Sequence, residues 1–325
     1  MVNPDVVGAI ARLRAEGVLS SVQAARFERV ARRGLVSLRF EIRALLYAGV
    51  LLVTAGVGSL IARHQQEIGP VAIALGVGLA ALGCLAWVGR RAAPFSWGPV
   101  PSPGVAFDYV LLLGLLLAAA DLAYVEAQFA ILGPRWPRHL VVVAALDLLA
   151  AYTWDSRTAL GLALTSLAAW RGVVVGLAPA LLGPGIAADL RANAIALGAL
   201  SLAVAVASAR LGRKPHFESV YAPAGLLLLL GGLLGGTLYD AQAWTLWLLA
   251  TLIVAGLVMV VAVRLRRSLY FALGVPAAYV ALVRLLFEPF RYGSHADSLP
   301  LLLSAGLGAG VLALILAVHR RVREE

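Results

Sequence analysis

The sequence predicts an all-α protein, a polytopic transmembrane helical bundle of about ten spanning helices preceded by a short cytoplasmic amphipathic helical hairpin. Three observations predict it. Hydrophobic residues fill 61% of the 325 positions and charged residues only 14%, so a water-soluble domain of this size could not cover its own surface. The apolar residues come in long Leu, Ala, Val and Gly runs; barrel strands would instead alternate polar and apolar residues over about ten positions. The basic residues cluster between those runs, so the net charge of +10 is a topology signal and no nucleic-acid partner is expected.

The first forty residues differ from the rest. Asn3 can cap a helix with Pro4 at its first position, and Val6, Val7, Ile10 and Leu13 then share one face up to Gly17. Ser20 and Gln23 form a capping box that opens a second helix through Val22, Ala25 and Val30 to Gly34. Arg12, Arg14, Arg26, Arg29, Arg32 and Arg33 make this hairpin basic, so it suits an anionic leaflet or a docked partner, or it simply holds the N-terminus inside. No cleavable signal is expected, because the first apolar stretch begins near Ile42. The division is a hairpin over 1–38 and a transmembrane domain over 39–325.

The apolar runs break at charged or Pro/Gly-rich segments into spans near 42–62, 71–88, 106–128, 139–153, 158–177, 190–209, 221–239, 244–263, 269–287 and 299–318. With the N-terminus inside, the alternate loops on the cytoplasmic side hold 20 of the 27 basic residues. Both ends are therefore expected in the cytoplasm. Between Thr158 and Arg191 the hydrophobicity is interrupted by Arg171, Pro179 and Pro184, which leaves a broken or re-entrant segment open. Gly231 with Gly235, Gly232 with Gly236, and Gly306 with Gly310 have the small-xxx-small spacing that lets helices approach closely, in intramolecular packing seams rather than a dimer interface as the leading expectation. Gly274 and Pro276 should kink the ninth span.

Ionisable groups within a bilayer are costly, so each needs a partner, water or a function. Asp121 falls about 10 Å below the outer end of the third span and Asp147 about 13 Å below that of the fourth, by helical rise. Tyr124 and Gln128 continue the Asp121 stripe at helical spacing, with Glu126 offset. Arg171, in the outer half of the fifth span, and Arg284, near the outer end of the ninth, offer two cations to the two carboxylates. Asp240, Glu288 and the loop from His64 to Glu67 map to the same side. Such a cluster is either a substrate or proton site or an internal ion-pair network that fixes packing.

Catalytic signatures are absent: there is no HExxH, P-loop, CxxC or nucleophile elbow. The run from Tyr292 to Asp297 contains Ser294, His295 and Asp297, yet neighbours in sequence rarely take triad geometry. The five histidines, His64, His139, His216, His295 and His319, lack metal-ligand spacing, and the lone Cys84 has no intrachain partner. No cofactor and no metal are expected. Asp155 to Thr158 reads as a tight turn in which Asp155 or Ser156 caps the next helix. Trp87, Trp97, Trp136, Trp154, Trp244 and Trp247 read as interfacial anchors.

Three segments carry a resemblance. They are ArgLeuArgAlaGluGlyValLeuSer at 12–20 followed by a GlnAlaAla helix, the first span's end IleAlaArgHisGlnGlnGluIleGlyPro at 61–70, and, more loosely, PheAspTyrValLeuLeuLeuGly at 107–114 with TrpAspSerArg at 154–157. In these the chain resembles the bacterial membrane-protein family catalogued as domain of unknown function 2157. Members similarly carry a helix, a Gly-x-Ile/Leu-Ser turn, a second short helix and a span ending in an Asn-Trp-like motif before Gly-Pro; His64 and Gln65 stand here at that pair. The resemblance implies a multi-pass protein of the bacterial inner membrane and no particular activity.

The leading expectation is a non-enzymatic protein that transports or senses a small solute, ion or lipid group. In it Asp121 and Asp147 bind a cation or proton, Arg171 and Arg284 balance them or hold an anionic group, and Tyr124 and Gln128 supply hydrogen bonds. The alternative is a scaffold or accessory subunit of a larger membrane complex, docked through residues 1–34. An intramembrane enzyme acting on lipid would need a nucleophile or metal that the sequence does not display.

Overall fold

The computed structural model describes residues 4–31, 39–172, 188–265 and 267–288, together with 306, 308 and 310. Among these, every regular element is helical. The chain divides into two compact units, Met1–Arg63 and His64–Glu325.

In the first unit, α1 (Pro4–Ala15) and α2 (Ser21–Ala31) are two short helices packed on one another. Ile10 and Ala24 are its buried contacts. The turn depends on Gly17, whose φ of +72° lets the Val18 and Leu19 amides reach back to the Leu13 carbonyl at 3.0 and 3.1 Å. The capping box forms as spelled: Ser20 N–H donates to Gln23 Oε1 at 3.0 Å, and Gln23 N–H to Ser20 Oγ at 3.2 Å. Arg12, Arg14 and Arg26 are exposed; the side chains of Arg29, Arg32 and Arg33, and Asn3, lie outside the described residues. The third helix, α3 (Arg39–Ile68), contains the apolar stretch Ala44–Leu60, whose Leu45, Leu52 and Leu60 are exposed as a lipid-facing helix requires.

The second unit holds α4 (Pro70–Arg91), α5 (Val105–Phe129), α6 (His139–Trp154), α7 (Arg157–Trp170), α8 (Ala188–Leu211), α9 (Glu218–Tyr239), α10 (Trp244–Arg264) and α11 (Ser268–Phe287). Among the described residues, six helices are long and apolar enough to cross a membrane: α4, α5, α8, α9 with its leading turn from Pro215, α10 and α11. Among the described residues the expected ten are thus met by six such helices and two shorter apolar ones, Ala44–Leu60 and His139–Trp154. The span near 299–318 lies outside the described residues apart from the three isolated positions. The fifth span is shorter than expected. α7 ends at Trp170, because Gly172 turns left-handed at φ +76° and the Arg171 and Gly172 amides close onto Leu167 and Ala169. Residues 173–187, where a re-entrant segment was left open, are not described.

Sequence-adjacent helices pack as antiparallel neighbours, α4 on α5, α6 on α7, α8 on α9 and α10 on α11, and α9 also touches α10 and α11. A cluster of Leu111, Leu115, Leu160, Phe217, Tyr221 and Tyr270, with many alanines, fills the centre. The closest seam is α8 against α9. A Cβ on Gly198 would lie 2.6 Å from the Leu229 nitrogen, and one on Gly225 2.9 Å from the Gly198 oxygen, so backbone touches backbone there. Of the paired glycines read from sequence, Gly232 faces Ile195 and Gly236 faces Trp247, both within the chain, whereas Gly231, Gly306 and Gly310 meet nothing within 4 Å among the described residues. α11 runs unbroken through Pro276, and Gly274 admits Ala255 and Met259 of α10.

Candidate functional site

Polar side chains gather at both ends of the second unit, and within the spans they are few. On α5, Asp121 presses against α4: a Cβ on Gly78 would sit 2.9 Å from Asp121 Oδ2, so glycine makes room for the carboxylate. Asp121 Oδ1 and, one turn further, the Tyr124 hydroxyl are buried without a hydrogen-bond partner among the described residues. Gln128, next on the stripe, is exposed. Glu126 is turned elsewhere, both of its oxygens accepting the Leu132 N–H at 3.1 and 3.0 Å beyond the helix end. On α6, Asp147 is 2% exposed, and its Oδ1 also lacks a partner among the described residues.

The arginines expected to balance these acids are engaged with other groups. Arg171 sits beyond the end of α7, not within a span; it donates to Asn193 Oδ1 on α8, while Asn193 Nδ2 returns a bond to the Arg171 carbonyl at 3.1 Å. Arg284 pairs with Glu288 one turn along and covers the Trp244 ring at 4.7 Å. The reason is local. An i,i+4 carboxylate and a polar neighbour at a helix end are closer than acids set deep in other spans. A third arginine, Arg191, reaches Asp240 Oδ2 at 3.0 Å. The same oxygen accepts the Trp247 indole at 3.1 Å, and Oδ1 accepts Gln242 and Ala243 N–H. The Ala243 N–H first, then the Trp247 indole, outweigh burial and hold Asp240 below the ordinary carboxylate range.

The opposite end carries a second cluster that the sequence reading missed. Asp155, in the α6–α7 turn, accepts Lys214 Nζ at 2.8 Å and meets His216 Nε2 at 2.7 Å, and Val100 N–H donates to its other oxygen. The Lys214 side chain is 0% exposed and that of Asp155 4%. Lys214 takes a left-handed backbone at φ +51°, its N–H donates to the Trp97 carbonyl at 2.7 Å, and Ser208 Oγ donates to its carbonyl and to that of Arg213. Phe95 and Phe217 flank the ammonium at 5.2 and 5.9 Å. Burial raises the Asp155 carboxyl, but the Lys214 hydrogen bond, the Val100 N–H and the charges of His216 and Lys214 outweigh it and leave it below its ordinary range. Next to this cluster, Glu218 joins Arg267 at 3.0 Å and the Tyr270 hydroxyl at 3.2 Å. The loops meeting here, 92–104, 155–156, 212–217 and 265–267, are those that the alternation of spans assigns to one side.

Ser156 is the residue that caps α7, accepting the Ala159 N–H at 3.2 Å, which frees Asp155 for Lys214. One signal was available beforehand: Lys214 is the single lysine among 27 basic residues. Among the tryptophans, Trp87, Trp97, Trp244 and Trp247 each lie under an arginine. His139 is buried on α6, and the Tyr292 to Asp297 run lies outside the described residues.

Residues 11–160 match the model of the family described as Predicted membrane protein (DUF2157), the family that the sequence resembles. The match takes in Asp121, Tyr124, Gln128, Asp147 and Asp155 and stops before Lys214. No curated protein and no solved structure matches the chain.

Proposed function

We propose that this multi-pass membrane protein transports or senses a small solute or ion in a bacterial inner membrane, with Asp121, Tyr124 and Asp147 taking up a proton or small cation. The observation that supports the reading is the set of three buried polar atoms, Asp121 Oδ1, Tyr124 Oη and Asp147 Oδ1, that have no partner among the described residues. An ionised carboxylate buried without a partner is unfavourable, which favours a proton or a cation at Asp147 and at the buried oxygen of the half-buried Asp121. Gain and loss of that proton or cation is the elementary event of a transporter or a membrane sensor. Gln128 stands at the exposed end of the same stripe, where an entering ligand would first meet a polar group. Arg171 and Arg284 belong to the rim of this reading, since their present partners are Asn193 and Glu288. The distribution of basic residues over the loops supports a reading in which this end faces outside and both termini are cytoplasmic.

The test is thiol accessibility in intact cells. In a Cys84→Ala background, single cysteines at positions 121 and 147 are treated with a membrane-impermeant maleimide. Labelling at either position supports a water-filled path from outside. Protection at both, in protein shown to be folded, refutes the reading and leaves a dry core of protonated acids.

A second reading, an accessory subunit docked through residues 1–34, is favoured by the exposed Leu13, Val18, Val22 and Phe27 on the hairpin. It predicts a stoichiometric partner that co-purifies with the full chain and is lost in a Val22→Ser, Phe27→Ser variant.

A further inference from the structure

α8 and α10 both pack on α9 and leave between them a groove of about 500 Å³. Small side chains, Ala205 and Ala209 on α8 and Ala222 on α9, make its depth, and Leu257 and Val261 line its α10 wall. Nearly all the lining is apolar; the polar groups, Arg210, Glu218 and Tyr270, come from helix ends on one side of the bundle. A second, more open hollow of about 600 Å³, lined by residues of α8, shares Leu202, Val206 and Arg210 with the first but is completed by Ala203, Ala207 and Leu211. By helical spacing the stripe of Leu202, Val206 and Arg210 is a ridge, with Ala205 and Ala209 on one flank and Ala203 and Ala207 on the other. Two apolar hollows therefore run on either side of one ridge, and the ridge ends in a cation.

From these features we infer that the ridge is a binding site for a two-chain anionic phospholipid, one acyl chain in each hollow and the phosphate at Arg210. The hollows lie along helices that can cross a membrane, where the medium is lipid and a water-soluble ligand has no access. From Leu202 to Arg210 the helix rises about 12 Å, close to the roughly 15 Å hydrocarbon depth of one leaflet. The charge at the mouth is complementary to an anion. Glu218, the one acid there, is already held by Arg267 at 3.0 Å and by Tyr270 at 3.2 Å. Arg210 is exposed and has no ion pair among the described residues, and Arg264, one turn beyond Val261, is exposed as well. An arginine fork at this depth binds phosphate oxygens in a bidentate manner, which a zwitterionic headgroup weakens by bringing its own cation.

The experiment uses the full chain purified in detergent and exchanged against phosphatidylglycerol or phosphatidylcholine with identical acyl chains, the retained lipid being counted by native mass spectrometry. The wild type should retain phosphatidylglycerol about ten-fold more strongly, the scale of one charge-assisted contact. Arg210→Gln should erase that preference while leaving some binding of both lipids. Ala209→Trp, at an exposed position that fills the groove without entering the core, should reduce retention of both. Arg14→Gln, an exposed arginine of the N-terminal hairpin, should change neither. Equal retention of the two lipids by the wild type, or retention unaffected by both Arg210→Gln and Ala209→Trp, overturns the inference and marks the contact as ordinary annular lipid.

Discussion

Asp155→Ala removes the carboxylate that pairs with Lys214. In the folded protein the ammonium then has 0% exposure, two phenyl rings beside it and no anion. His216 Nε2 and the Val100 amide lose their acceptor at the same time. Removing one partner of a buried ion pair costs about 3–5 kcal/mol. The assay is unfolding of the full chain by SDS in mixed micelles, followed by tryptophan fluorescence, since Trp97 and Trp154 adjoin the cluster. Asp155→Ala combined with Lys214→Met should return to within about 1 kcal/mol of the wild type, because the stranded charge is gone. A single variant within about 1 kcal/mol of the wild type, or a double variant no more stable than the single, would refute the reasoning.

The same cluster gives the wild type an acid dependence. The folded Asp155 carboxyl lies below its ordinary value, so its contribution is full above the unfolded value near 4 and is lost as pH falls through the folded one. SDS unfolding between pH 6 and pH 3 should show this loss in the wild type and not in the double variant. At the α8–α9 seam, Gly225→Ala brings a methyl to within 2.9 Å of the Gly198 oxygen and should cost about 1–3 kcal/mol. Gly231→Ala, with nothing within 4 Å, should be neutral or slightly stabilising in the same assay. In the N-terminal hairpin, Ser20→Ala breaks the capping box at a cost of about 1 kcal/mol. Amide exchange in the first turn of α2 should accelerate while that of α9 stays unchanged.

Much of this fold could be read from the sequence because the bilayer tests each residue separately. An apolar run near 71–88 becomes α4 (Pro70–Arg91) and one near 244–263 becomes α10 (Trp244–Arg264), since transfer into hydrocarbon depends on composition alone. Boundaries set by backbone conformation were harder. The run after Arg171 stays apolar, so the span was carried to 177, yet one left-handed glycine ends the helix at Trp170. Partners were harder still, because they depend on which distant loops meet. Asp155 lies 59 residues from Lys214 and 55 from Val100, and nothing in the local pattern of any of the three names the others. Capping chemistry offered two candidates at that turn, and the choice of Ser156 is what released the carboxylate.

Depth, unlike partnership, is legible, and it separates the acids into two kinds. Asp155, Glu218, Asp240 and Glu288 sit at helix ends or in turns, and each holds a cation. Helix ends from different parts of the chain gather at the membrane surfaces, where the arginines also collect, so an acid placed there finds a partner at little cost. Asp121 and Asp147 sit within helices, Asp121 against Gly78 of α4, and their Oδ1 atoms find no partner among the described residues. An acid kept at such a position contributes nothing to packing that an asparagine or a leucine would not supply as well. If Asp147→Asn leaves SDS unfolding within about 1 kcal/mol of the wild type, the carboxyl is retained for something other than stability; if the variant is several kcal/mol less stable, Asp147 has a structural partner and belongs with the first group.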